Sequence, residues 1–154
     1  NQYVKLSKKW FISSHNKLKI SFAPYQAYSM ERGIGYGGNY ISGYEYYAID
    51  GQSFGYTKLN LKNEFLKIKI KTLGNNPFTK GAEIPFSIFA RVYADAGYVK
   101  DELYYQNNPL ANEFLFGYGV ALDLVLIYDT SLRFEYSVNR MGEHGLFYHF
   151  STYF

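Results

Sequence analysis

The chain has 154 residues, which suits a single domain spanning 1–154, and a net charge of +3 whose lysines are spread rather than clustered, so a nucleic-acid footprint is not expected. Its unusual property is an aromatic share of 21%, with 18 Tyr and 13 Phe against one Trp, and tyrosine favours boundaries between apolar matter and water. The longest apolar run, FLFGYGVALDLVLIY, is interrupted by Asp123, which excludes a transmembrane helix, and the lack of cysteine excludes a disulfide framework. No signal peptide opens the chain at Asn1, so an exported protein would be present here in a mature or trimmed form.

Residues 3–12 alternate Val4, Leu6, Trp10 and Ile12 against Tyr3, Lys5, Ser7 and Lys9, with Lys8 out of phase. That period of two predicts a strand. The polar cluster SSHNK at 13–17 predicts a turn, and Leu18, Ile20 and Phe22 predict the second arm of a hairpin. Residues 29–53 are rich in Gly and Tyr without a clear period; they read either as a long loop or as a loop with a strand at 40–49. A long strand is predicted over 54–72. Its parity reverses at Glu64 and Phe65, where one extra residue, a β-bulge, would account for the reversal.

GNNPFTKG at 74–81 predicts a turn. The strand after it sets Phe86, Ile88, Ala90, Val92 and Ala94 against Arg91, Tyr93, Asp95 and Gly97. Beyond a polar loop at 99–112, a strand places Phe114, Phe116, Tyr118, Val120 and Leu122 opposite Gly117, Gly119, Ala121 and Asp123. Asp129 and Thr130 form the shortest connection, and Met141–His144 join the last two strands. In those strands Leu132, Phe134, Tyr136 and Val138 oppose Arg133, Glu135, Ser137 and Asn139, while Leu146, Tyr148, Phe150 and Phe154 oppose Gly145, Phe147 and His149.

Long strands with one apolar face and one charged face match the transmembrane β-barrel pattern. Backbone groups left unpaired in lipid cost several kcal/mol each, so such a sheet must close. The expected fold is therefore an antiparallel transmembrane β-barrel of about eight strands, the eighth at 40–49 or upstream of Asn1. Its expected setting is the bacterial outer membrane, with membrane lipids, among them lipopolysaccharide, as partners.

The order of landmarks resembles the C-terminal barrel of the BamA/TamA-like outer-membrane assembly family, in particular its short Bacteroidetes-type members without POTRA modules. GGNYISGYEYYAIDG resembles the family's inward-folded loop, whose Arg-Gly-aromatic tip would be Ser42, Gly43 and Tyr44, with serine at the arginine position. NEF and YADAGYV resemble the family's two acidic strand positions, Glu64 and Asp95, which face the loop arginine. Arg91 and Arg133 on the interior face are candidates to supply the missing charge, so the expected interior network is Glu64, Arg91, Asp95, Arg133 and Glu135. The ending, with Gly145, Tyr148, Phe150 and Phe154, resembles the strand by which the barrel-assembly machinery recognises barrels for insertion. The resemblance implies a role in outer-membrane biogenesis without covalent chemistry.

Two alternatives stand beside it. One is a structural barrel that oligomerises, for instance as a homodimer joined through first and last strands. The other is a barrel-embedded lipid hydrolase using His149 and Ser151, two apart on one face, with Asn139 on the neighbouring strand. His15, His144 and His149 lack ligand spacing, so neither a metal nor a cofactor is expected.

Overall fold

The computed structural model of the chain describes residues 2–23, 25, 27–71, 83–126 and 130–151. Within them the protein is all-β, with strands β1 (Gln2–Lys5), β2 (Trp10–Lys19), β3 (Ser53–Lys71), β4 (Glu83–Lys100), β5 (Phe114–Val125), β6 (Ser131–Asn139) and β7 (His144–Ser151). Each strand pairs antiparallel with the next, forming one seven-stranded sheet whose edges are β1 and β7. No helix among the described residues is long and apolar enough to cross a membrane.

The period-two patterns map onto two contrasting faces. Val92, Val120, Leu122, Phe134 and Tyr136 are exposed on the outer face, each at least 41% accessible. Between them, Asp95, Asp123 and Glu135 on the inner face are at most 3% accessible. A water-soluble domain normally shows the reverse, because apolar side chains leave water and charges stay in it. Here the strands carry their charges inside.

The sheet is strongly curled. In a flat sheet β3 and β7, four spacings apart, would be separated by about 19 Å. Yet the Tyr40 ring lies 3.6 Å from Lys58 Nζ of β3 and stacks at 5.2 Å on His149 of β7. One side chain bridges the two only if the sheet bends around it. The residues enclosed by that bend belong to the segment 31–52, which carries no strand beyond two isolated bridges, Ile34 with Ile49 and Tyr36 with Asn39. Ile34, Ile41, Tyr44 and Ile49 of this segment pack with Phe54, Tyr56, Val99 and Leu115 into the apolar core. That core plugs the end of the sheet where β3 and β5 begin and β4 finishes.

Several boundaries differ from the sequence-based expectation. The stretch 40–49 is part of the inward-folded segment, so the described residues hold seven strands and not eight. Its Gly and Tyr residues lack a period because their side chains pack in several directions, whereas strand side chains alternate between two faces. The first turn lies at Leu6–Lys9, closed by Leu6 N–H donating to Trp10 C=O at 2.9 Å, and not at 13–17. SSHNK runs through β2, with Ser13 opposite Asn60 and His15 opposite Lys58. Polar residues mark a turn only where the sheet's interior is apolar; against a polar interior, Ser13 and His15 simply face inward. Lys8, out of phase in the sequence, was the better signal. The bulge is as expected: register passes from Glu64 opposite Phe89 to Leu66 opposite Ile88, skipping Phe65. It keeps Leu66 and Ile68 on the outer face with Leu59 and Leu61. The turn at 74–81 and Phe154 lie outside the described residues.

Candidate functional site

The inner face of β3–β7 carries a connected ion network. Arg91 of β4 donates from Nη2 to Glu135 Oε2 of β6 at 2.6 Å and from Nη1 to Asn60 Oδ1 of β3 at 2.9 Å. Asp123 of β5 faces three cations: Arg133 Nε at 2.8 Å, Lys62 Nζ at 3.3 Å and Arg91 Nε at 3.8 Å. Lys58 lies 3.7 Å from Asp95. The register aligns these groups, since Lys58 sits opposite Asp95, Lys62 opposite Arg91 and Asp123 opposite Arg133. Buried charges persist only when an opposite charge compensates them, and each of these lies within 4 Å of one. Beside the network lies a polar cavity of about 370 Å³ bordered by Lys58, Lys62, Arg133, Tyr40 and Ser13.

The segment 31–52 is bonded to this face. Ser42 donates twice to Asp95 Oδ2, from its hydroxyl at 2.6 Å and from its N–H at 3.1 Å. Glycine is required opposite: a Cβ on Gly117 would overlap the Ser42 carbonyl oxygen. Gly43, itself in the left-handed region at φ 86°, accepts from Asn139 Nδ2 at 3.0 Å through its carbonyl. Tyr44 is buried in the apolar core. At the mouth, Tyr47 and Asn139 both donate to Glu143, which holds the Glu143 carboxyl below the usual carboxylate range. Glu45 accepts from Gly43 N–H at 2.8 Å through Oε2, and burial pushes its carboxyl up to about 7.

The structure thus brings together Ser42, Arg91, Asp95, Arg133 and Glu135 from the expected set. Glu64 is not among them. It sits two residues beyond Lys62 on β3, opposite Phe89, and its ion partner is Lys67 at 3.9 Å. Where the resemblance implies an arginine between two acids, Ser42 reaches one acid by hydrogen bonds and Lys58 supplies the charge from the sheet. Lys58 and Asp123, central to the network, carried one signal in the sequence, their inward parity. Glu45 and Tyr40 carried none, because the segment holding them has no period.

Gly145, Tyr148 and Phe150 lie on β7 opposite Ser137, Phe134 and Leu132, with Tyr148 and Phe150 exposed on the outer face. Of the hydrolase set, the Ser151 side chain lies outside the described residues, and Asn139 is not brought to His149. Asn139 is turned toward Gly43 and Glu143, six residues along β6 from Arg133, the partner of His149, or about 20 Å away. His149 contacts Glu135 at 3.3 Å. No family model, no curated protein and no solved structure matches this chain.

Proposed function

We propose that the chain is a membrane-inserted β-barrel unit of the bacterial outer membrane, of BamA/TamA-like type, acting in outer-membrane biogenesis. The supporting observation is the inverted polarity of the sheet: exposed Val, Leu, Phe and Tyr outside, a buried ion network inside, and an inward segment bonded to that network through Ser42 and Asp95. A hydrocarbon surrounding makes the outer face favourable, and the enclosed polar lumen gives the charges their partners. Closure uses the two free edges, β1 and β7, within a longer chain or with a second copy. The expected activity is non-covalent: the barrel lowers the barrier for lipid or protein strands to enter the bilayer beside it.

Reconstitution tests this reading. Lipid vesicles containing the chain should speed the folding of a second, unfolded outer-membrane barrel added from urea, relative to empty vesicles. Acceleration no greater than that from an equal amount of an unrelated small barrel would replace assembly activity with a purely structural role.

A further inference from the structure

We infer that Glu45, Glu135 and His149 form a binding site for one divalent transition-metal cation. The three residues come from the inward segment, β6 and β7, and one ligand atom from each lies within 4.8 Å of the others. Two carboxylate oxygens and an imidazole nitrogen form a mixed donor set that suits Zn²⁺ and its neighbours.

The surrounding contacts hold one oxygen of each carboxylate and the plane of the imidazole. Glu45 Oε2 is occupied by the Gly43 N–H, while its Oε1 is enclosed and has no hydrogen-bond partner among the described residues. Glu135 shows the same division: Arg91 holds Oε2 at 2.6 Å, and Oε1 faces His149 Nε2 at 3.3 Å. Tyr40 stacks on the imidazole with an interplanar angle of 9°, fixing the ring's plane. Outer groups that tie one carboxylate oxygen and orient an imidazole are what metal sites use to aim their ligands. A cation there would replace the proton shared by His149 and Glu135 and give Glu45 Oε1 its missing partner. His149, with its side chain 29% accessible, opens the path from solvent. The site joins the inward segment to the last two strands, so an occupied site would pin that segment in place.

The test uses the tag-free, chelator-treated chain in detergent, titrated with Zn²⁺ by calorimetry, with Co²⁺ absorption as a second readout. One equivalent should bind to the native chain, and Glu45→Gln and His149→Phe should each weaken binding by roughly tenfold or more. His15→Ala with His144→Ala should leave it unchanged. Glutamine keeps an acceptor for Gly43 N–H and phenylalanine keeps the stack on Tyr40, and circular dichroism verifies that each variant retains its strands. A native chain that takes up no Zn²⁺, or whose binding is unaffected by Glu45→Gln and His149→Phe, overturns the assignment. Binding of Mg²⁺ or Ca²⁺ as tight as that of Zn²⁺ overturns the transition-metal class.

Discussion

Arg91 is the residue on which most of the interior charge balance converges. It is 8% accessible, bonds Glu135 and Asn60, and lies beside Asp123. Removing one partner of a buried pair leaves the other charge enclosed without compensation, which costs more than the pair contributes. Arg91→Met should therefore destabilise the fold by about 3–5 kcal/mol, measured as a shift in the urea midpoint of the detergent-solubilised chain. Arg133→Met should cost less, since Asp123 retains Lys62. Equal losses for the two would mean that Asp123 and not Glu135 is the anchor of the network.

Among the elements, the inward segment 31–52 is the one whose placement depends on titratable contacts at the rim. Tyr47 and Asn139 donate to Glu143 in the turn between β6 and β7, and those bonds lower its carboxyl pKa. A carboxyl whose folded value is depressed contributes stability above its unfolded value, which is lost as pH falls through the folded value. Docking of the segment should hold at neutral pH and loosen as pH falls below the ordinary glutamate value and through the depressed folded one. Hydrogen exchange at the Tyr47 and Tyr44 amides reports this directly. In Glu143→Gln the acid-dependent loosening should vanish, because an amide does not titrate. The bulge at Phe65 belongs to the same scale. It was legible because a parity change within a run of alternating residues has no other local cause. The turn placed at 13–17 failed for a related reason: a turn reading assumes that polar residues leave the strand, and an inverted sheet lets them stay.

For the whole molecule the decisive property is whether the exposed apolar face of the sheet meets lipid or water. Val120 is 53% accessible at the middle of β5, and a lysine at such a position on a water-soluble protein changes stability little. In a bilayer the same substitution places a charge in hydrocarbon and costs about 2–4 kcal/mol. Val120→Lys should accordingly weaken folding into lipid vesicles by that amount, followed by tryptophan fluorescence at Trp10. An unchanged folding equilibrium in vesicles would remove the membrane from the account.

The strands and their two faces were legible in the sequence because alternation is a local property: neighbouring side chains of an extended backbone point to opposite sides whatever the rest of the chain does. That local rule determined the all-β class, the inner positions of Arg91, Asp95, Asp123, Arg133 and Glu135, and the outer apolar band. It could not assign partners. Which cation meets which acid depends on register and on the curl of the sheet, which bring Arg91 to Glu135 across an intervening strand. Nor could it place 31–52, whose docking rests on contacts with strands far along the chain, Ser42 with Asp95 and Gly43 with Asn139. Glu45 and His149 are 104 positions apart, and only the curl of the sheet around segment 31–52 sets them side by side.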